Sequence, residues 1–190
     1  MSVDAGQHKI EQRLAAKERR AAVPADQRAR AATTIGARID QLITSRPGPL
    51  VAYAATGDEV SVDAVMEGWL AAARPLALPR VVGPGRLDLH LVADLGADLV
   101  VGAYGIREPR EDLPTLDPGA AATVLVPGVC FDRRGGRIGW GGGFYDRLLP
   151  RTVAAWRLGI CLEVQLVERV AADPHDAPVD AVVTEAAVYR

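Results

Sequence analysis

The sequence predicts an α/β fold with a mainly parallel central sheet flanked by helices. Short apolar segments, each long enough for one buried strand, alternate along the chain with segments whose apolar residues recur at helical spacing. The 190 residues, of which 49% are hydrophobic, suffice for one core. Because no internal repeat, low-complexity tract or linker interrupts them, we expect a single domain over residues 1–190.

The first half of the chain predicts two helices, a strand and a third helix. Ala, Arg, Leu and Glu favour helices at 8–22 and 26–44, which a proline followed by an aspartate separates. The apolar run "GPLVAYAAT" predicts a buried strand at 48–56. Ser61 then provides a cap for a helix at 61–73, where apolar residues recur every three or four positions.

The rest of the chain, from residue 74 onward, predicts further strands and two more helices. Strict alternation over "LDLHLV" is typical of a strand with one exposed face, and "ATVLVPGVCF" predicts the most deeply buried strand, stopped by Pro127-Gly128. Since ligands bind such sheets where strands end, the loops after 48–56 and 122–131 are candidate sites. In chain order, strands are expected at 74–79, 87–92, 122–131, 156–162 and 180–184, and helices at 144–149 and 164–170.

Charge, cysteine content and hydropathy exclude several classes of protein. The formal net charge of −2 provides no basic field to recruit nucleic acid or an anionic membrane. Cys130 and Cys161 are too few for a zinc site or a disulfide framework. The N-terminus lacks the apolar core of a secretory signal, and no apolar run approaches the roughly 20 residues that span a bilayer. We expect a cytoplasmic protein with small-molecule ligands and neither a nucleic-acid nor a membrane partner.

The segment "RIGWGGGFYDR" at 137–147 concentrates glycines, aromatic residues and charges. It lacks the Lys-Ser/Thr end of a P-loop, and an aromatic residue breaks the dinucleotide pattern GxGxxG. Successive glycines before a helix still expose backbone N–H groups to phosphate. Arg137 and Arg147 add cationic charge, and Asp146 fits an anion site if a divalent cation bridges it to the phosphates. The alternative is a tight turn with glycines at positive φ, solvated arginines and aromatic side chains in the core.

Other charged residues are weaker indications when taken singly. Lys9 and Arg13 lie one helical turn apart and could bind one phosphate together, although such a face is usually only solvated. Loop acids such as Glu59 and Asp176 most often stabilise turns and helix caps, and a loop histidine such as His175 is most often only solvated.

The segment "VPGVCFDRRGGRIGWGGGFYDRLL" closely resembles the signature of the 5-formyltetrahydrofolate cyclo-ligase family. Further segments fall in the family's order: Lys9 with Arg13, Glu59 in a turn, "LPR", "YGIREP" and "PHDAPVDAVVTE". The resemblance therefore extends from about Lys9 to Glu185. The signature positions that match are Pro127, Gly128, Phe131, Asp132, Gly136, Arg137, Gly139, Gly141, Gly143, Tyr145 and Asp146.

The resemblance implies the three-layer fold of phosphosugar isomerases and CoA transferases, and an ATP-driven ring closure. In that reaction 5-formyltetrahydrofolate and ATP, with Mg²⁺, give 5,10-methenyltetrahydrofolate, ADP and phosphate. Phosphorylation of the formyl oxygen turns a poor leaving group into phosphate, and the nitrogen at position 10 closes the ring. A monomer or weak homodimer that acts on reduced folate and ATP is expected.

Carried over residue by residue, the resemblance implies three sets of ligand-binding residues, with Lys9 and Arg137 also catalytic. Reduced folate would be bound by Glu59, Tyr104, Trp140 and Phe144. Mg²⁺ would be held by Asp146 and Asp176. ATP would be bound by Lys9, Arg13, Arg137, Ile138, Gly139, Trp140, Gly141, Gly142, Gly143, Phe144 and Tyr145.

Three positions depart from the family pattern, and two other classes of function stay open. Gln12 replaces the usual leucine, Phe144 replaces a tyrosine, and Trp140 stands where tyrosine or arginine is common. One open class is a catalytically silent relative that binds folate or nucleotide, against which the intact charged residues argue. The other is a phosphosugar isomerase or acyl transferase. It needs a catalytic carboxylate or a lysine base, and both lysines of the chain lie in the predicted N-terminal helix.

Overall fold

The computed structural model describes residues 3–173 and 176–190, with side chains from residue 6 onward. His175, expected as a solvated loop residue, lies outside the described residues. The helices in the described ranges are α1 (Val3–Ala21), α2 (Ala25–Ile43), α3 (Asp63–Ala71) and α4 (Phe144–Leu148). None of them is both long and apolar enough to cross a membrane. The strands are β1 (Leu50–Val51), β2 (Leu76–Gly83), β3 (Arg86–Val92), β4 (Leu99–Val101), β5 (Arg107–Pro109), β6 (Thr115–Leu116), β7 (Thr123–Pro127), β8 (Cys130–Asp132), β9 (Arg137–Ile138), β10 (Trp156–Ile160), β11 (Leu166–Val167), β12 (Ala181–Val183) and β13 (Val188–Tyr189).

The central sheet contains eight strands in the order β13-β12-β10-β7-β1-β2-β3-β6. Its inner pairs are parallel: β1 pairs with β2 and β7, and β10 pairs with β7 and β12. Antiparallel strands complete the two edges, β13 at one and β3 with β6 at the other. The predicted α/β class with a mainly parallel central sheet is therefore confirmed.

Both faces of the inner strands are buried, because successive side chains of a strand point to opposite faces. Leu50 and Leu125 belong to the core that packs against α2 and α3. The neighbouring residues Val51 and Val124 belong to the core on the opposite face, which includes residues of α4. Helices on both faces of one sheet give the predicted three layers.

The N-terminal helix α1 packs against a separate three-stranded sheet, ordered β11-β8-β9. Its Ala16 side chain is buried together with Cys130 and Ile138. Arg13 donates from Nε to the carbonyl oxygen of Gly139 at 2.9 Å, which ties α1 to the loop after β9. The predicted phosphate-binding residues of α1 and those of the loop after β9 therefore lie close together, although they are far apart in sequence.

The predicted helix at 164–170 is wrong. Residues Glu163–Gln165 form one 3-10 turn, and β11 then pairs in parallel with β8. The buried side chain of Gln165 accepts from the Leu162 amide and donates to the Gly128 carbonyl. These bonds fix the direction of the chain at Gln165. The residues that follow are therefore extended, although valines recur there at helical spacing.

The other predicted elements are present, with differences in extent. Regular pairing in the strand expected at 48–56 is limited to Leu50–Val51. The buried strand of 122–131 ends at Pro127, where Pro127-Gly128 was expected to stop it, because a proline supplies no N–H for the next ladder bond, and Cys130–Asp132 form a separate strand. The elements that the sequence did not predict are short: β4, β5, β6, β9 and β13.

Candidate active site

A cavity of about 910 Å³ lies at the ends of β1 and β7 and beside β2. Glu59 follows β1, Pro127 ends β7 and Pro79 belongs to β2, and all three residues line the cavity. The glycine-rich segment 139–146 forms another part of its wall. The cavity therefore lies where parallel strands end, the usual place for ligands in an α/β sheet.

The loop after β9 presents bare backbone to this cavity. Gly141 has a φ of +103° and Gly143 a φ of +66°, values that L residues rarely adopt. A Cβ on Gly141 would meet nothing closer than the Arg13 side chain at 3.9 Å. A Cβ on Gly143 would lie 2.6 Å from Nη1 of Arg147, which donates to the Gly142 and Gly143 carbonyls. Gly141 thus provides a backbone angle and bare backbone next to the Arg13 side chain, whereas Gly143 also makes room for Arg147.

An ion pair between the buried Arg137 and the half-buried Asp146 connects the two ends of this loop. Arg137 is 4% exposed and donates from Nη2 to Asp146. Its buried Nε has no hydrogen-bond partner among the described residues. Asp146 also accepts a long hydrogen bond of 3.4 Å from the Ala177 amide. A buried guanidinium with an unpartnered N–H is a ready donor to an anionic ligand.

A second cluster of a cation with carboxylates lines the same cavity. The Nζ of Lys9 lies 2.5 Å from Asp176 Oδ2 and 3.1 Å from Asp173 Oδ2. Burial alone lowers the pKa of Lys9, but the hydrogen bonds and charges of Asp176 and Asp173 outweigh it and raise that pKa above its ordinary value. Lys9 is therefore a protonated ammonium at neutral pH.

Glu59 is oriented by two donors. The Thr56 amide donates to Oε2 at 3.0 Å, and Nε1 of Trp140 donates to Oε1 at 2.8 Å. Cations cover the Trp140 ring, with Lys17 Nζ at 4.4 Å and Arg20 Cζ at 5.2 Å from its centroid. The result is a fixed carboxylate beside an aromatic face, which suits a planar ligand with N–H donors.

Aromatic side chains add to the cavity wall. Tyr104 and Phe144 form an edge-to-face pair with ring centroids 6.3 Å apart. Tyr104 is 78% exposed, and its φ of +57° is a strained value for a residue other than glycine. Burial raises the pKa of the Tyr53 and Tyr145 hydroxyls, so both stay protonated at neutral pH.

A sequence model of the 5-formyltetrahydrofolate cyclo-ligase family matches residues 5–185. The chain belongs to this family. The solved structure of the 5,10-methenyltetrahydrofolate synthetase of Aquifex aeolicus matches with a TM-score of 0.85 and 32% identity, over 96% of this chain and 92% of that one. The synthetase structure from Mycoplasma pneumoniae matches with a TM-score of 0.75 and 22% identity, over 93% and 98% of the chains, which supports the fold.

Curated cyclo-ligases match over shorter segments of sequence. The 5-formyltetrahydrofolate cyclo-ligase of Mycolicibacterium smegmatis is 39% identical over 88 residues, which are 45% of this chain and 45% of the relative. That of Escherichia coli (strain K12) is 37% identical over 101 residues, 50% of this chain and 53% of the relative. The chain thus spans, in these matches, about half the length of its curated relatives.

The cavity brings together nearly all the site residues that the cyclo-ligase resemblance implies. Ile138 is the exception among the described residues, since it does not line the cavity, and its expected contact with ATP stays a prediction. Its side chain is fully buried with Ala16 and Cys130, because it points from β9 into the core beneath α1. The implied residues that line the cavity are Lys9, Arg13, Glu59, Tyr104, Arg137, Gly139, Trp140, Gly141, Gly142, Gly143, Phe144, Tyr145, Asp146 and Asp176.

Sequence reasoning missed Arg20 and Asp173. Arg20 is 2% exposed, pairs with Asp58 at 2.5 Å and lies over the Trp140 ring. The available signal was its position seven residues after Arg13, two helical turns along the same face. Asp173 has no such signal, since nothing in its local sequence separates it from other loop acids.

Proposed function

We propose that the chain is an ATP- and Mg²⁺-dependent 5-formyltetrahydrofolate cyclo-ligase that forms 5,10-methenyltetrahydrofolate, ADP and phosphate. One observation carries the proposal: a glycine-rich loop, several cations and an oriented carboxylate with aromatic faces line the same cavity. Membership of the cyclo-ligase family supports the same reaction.

The phosphates of ATP are assigned to Lys9, Arg13 and Arg137. Lys9 and Arg137 each pair with an aspartate, so both cations are charged and already at the cavity wall. Phosphate oxygens would accept from Lys9 Nζ and from Arg137 Nε, which has no hydrogen-bond partner within the part of the chain that the structure describes. The bare backbone at Gly141, next to the Arg13 side chain, lets a phosphate approach the backbone N–H groups of the loop.

The carboxylates of Asp146 and Asp176 would hold Mg²⁺ beside these phosphates. Among the described residues no group of three or more His, Cys, Asp or Glu side chains is arranged for a metal. Mg²⁺ fits two aspartates, because it commonly takes one or two carboxylates and completes its shell with phosphate oxygens and water. The bound ion would supply neutralisation of phosphate charge, to which Lys9 and Arg137 contribute from the protein.

The pterin of the folate is assigned to Glu59, whose carboxylate accepts N–H donors next to the Trp140 ring. Transfer of the γ-phosphoryl group to the formyl oxygen releases ADP and leaves a phosphorylated formyl group. The nitrogen at position 10 then bonds to the formyl carbon and loses its proton, and phosphate departs with the former formyl oxygen. The protein's part is to position both reactants and to neutralise charge.

The test is the absorbance of 5,10-methenyltetrahydrofolate formed from 5-formyltetrahydrofolate, with and without ATP and Mg²⁺. We expect product only when both are present, and loss of activity in EDTA that excess Mg²⁺ restores. Asp146→Asn is expected to raise the Mg²⁺ concentration for half-maximal rate about tenfold or more, with folate binding largely intact. Product formation without ATP, or turnover that EDTA does not change, contradicts the proposal.

Asp26→Asn is the matched control, because Asp26 is 66% exposed on α2 in an ion pair with Arg30. This variant should keep the parent's Mg²⁺ requirement. Melting temperatures of both variants are measured as well, since Asp146→Asn removes the partner of the buried Arg137. An equal Mg²⁺ requirement in Asp146→Asn and the parent would show that Asp146 is not part of the metal site.

A further inference from the structure

The Gln12 side chain joins α1 to the segment that precedes Asp173. Its Nε2 donates to the Arg169 carbonyl at 2.8 Å, and its Oε1 accepts from the Ala171 amide at 2.8 Å. Both polar atoms of one side-chain amide are thus bonded to backbone groups of residues two apart. Leucine, the usual family residue at this position, has no donor or acceptor for either bond.

The segment held by Gln12 is also fixed from its other side. The Val170 amide donates to Oδ2 of Asp132 at 2.9 Å, and the Val170 side chain is buried with Ala16 of α1. Oδ1 of Asp132 accepts from the Gly136 amide in the turn that leads into β9. Residues 169–171 therefore have a defined position between α1 and the start of the glycine-rich loop.

Lys9 lies one helical turn before Gln12 and holds the next part of this segment through its contact with Asp173. In the proposed reaction Lys9 and Arg13 bind phosphate, which competes with Asp173, Asp176 and the Gly139 carbonyl for their N–H donors. The Gln12 contact is neutral and does not compete with phosphate for a cation. It can persist while the charged contacts exchange partners.

We propose that Gln12 is a positioning residue that keeps residues 169–173 against α1 while Lys9 exchanges its carboxylate partners for nucleotide phosphate. The inference rests on the proposed role of Lys9 in ATP binding. Without Gln12, part of the binding free energy of ATP is spent on ordering α1 and this segment relative to each other.

Gln12→Leu and Gln12→Met test the role, because both remove the two hydrogen bonds and Met preserves the length of the side chain. We expect the KM for ATP to rise about three- to tenfold in both variants. The KM for 5-formyltetrahydrofolate and kcat should stay within about twofold of the parent, since neither reports on this segment. Amide hydrogen exchange at Ala171, followed by NMR, should become faster in both variants.

The control is Gln7→Leu, because Gln7 lies on the same helix and, among the described residues, donates to Glu11 of that helix alone, at 3.0 Å in an exposed contact. It should change neither the KM for ATP nor exchange at Ala171. A merely structural role for Gln12 would lower the amount of folded enzyme, and hence the maximal rate, without moving the KM for ATP.

Two results would overturn the inference. An unchanged KM for ATP in Gln12→Leu with faster exchange at Ala171 shows a contact without a positioning role. Unchanged exchange at Ala171 shows that the contact itself does not hold the segment. A parent protein that forms no 5,10-methenyltetrahydrofolate contradicts the proposed function instead, and ATP affinity measured by calorimetry then decides the role of Gln12.

Discussion

Trp140 connects three segments of the chain through one ring. Its Nε1 holds a carboxylate oxygen of Glu59, and its face lies under the cations of Lys17 and Arg20 from α1. Arg20 also pairs with Asp58, the residue before Glu59, so the turn after β1 is anchored at two consecutive positions. The orientation of Glu59 therefore depends on α1 and the glycine-rich loop together.

This arrangement predicts two graded effects on folate binding. Glu59→Gln should raise the KM for 5-formyltetrahydrofolate about tenfold or more, because the charged acceptor is lost. Trp140→Phe should raise the same KM about two- to fivefold, because the ring face remains and the Thr56 amide still holds Glu59. Steady-state kinetics with each substrate varied in turn provide the measurement.

Trp156→Phe is the control for the loss of an indole, since Trp156 lies in β10, outside the cavity lining. It should leave both KM values unchanged. A larger effect of Trp140→Phe on the KM for ATP than on the KM for folate would show that the Trp140–Glu59 contact does not belong to the folate site.

Sequence reasoning named most of the charged residues that line the cavity, but it did not name their partners. Lys9 and Asp176 were expected to bind phosphate and metal, respectively, yet they also bind each other across a separation of 167 residues. Local spacing indicates which residues share a helix face and carries no information on contacts so distant in sequence. Asp173 was missed for the same reason.

At the scale of elements, the loop between β9 and α4 contains Gly141, whose added methyl group would contact, among the described residues, only the end of the Arg13 side chain at 3.9 Å. Gly141→Ala is expected to lower ATP affinity about tenfold or more, because it strains the backbone and places a methyl group where phosphate must approach. Its effect on the melting temperature should be only a few degrees. Calorimetric titration with ATP and thermal unfolding of the ligand-free protein provide the two measurements.

Gly48→Ala is closely matched in backbone angle, since Gly48 has a φ of +102° against +103° for Gly141. Gly48 is not part of the cavity lining, and its added Cβ would lie 2.8 Å from Ala122. It should lower the melting temperature while the folded protein binds ATP normally. The same outcome for Gly141→Ala would make the loop a turn without a part in phosphate binding.

Elements with strong local signals could be predicted, and those decided by tertiary contacts could not. The helices α1, α2 and α3 follow helix-forming composition or apolar spacing that tertiary structure leaves in place. The error at 164–170 arose because three valines at helical spacing mimic an amphipathic helix. The buried bonds of Gln165 override that pattern, and a sequence gives no sign that a glutamine is buried.

At the scale of the whole molecule, the sheet was predictable because both of its faces are apolar. Alternate residues such as Leu50 and Val51 enter different cores, so the strands read as uninterrupted apolar runs. The strand order was not predictable, because it depends on which strands become neighbours after the chain crosses the sheet. The short edge strands β6 and β13 carry too few residues for a periodic signal.

The buried thiols of Cys130 and Cys161 predict that the folded protein loses stability at alkaline pH. Burial raises the pKa of Cys130 to about 11 and raises that of Cys161 well above its ordinary value. In the unfolded chain a thiol ionises at about pH 8.5, so above that pH the unfolded state binds fewer protons than the folded state. The free energy of unfolding must therefore fall as the pH rises, until the folded thiols also ionise.

We expect urea unfolding under reducing conditions to show this decline between about pH 8 and pH 10, approaching about 1.4 kcal/mol per pH unit for each thiol at the upper end. Cys130→Ala and Cys161→Ala should each reduce the slope of stability against pH, whatever they do to stability at neutral pH, because each removes one ionisation from the unfolded state. Tyr104→Phe is the control, since the Tyr104 side chain is 78% exposed and its removal should leave the slope unchanged. A slope equal to the parent's in both cysteine variants would mean that other groups cause the alkaline loss of stability.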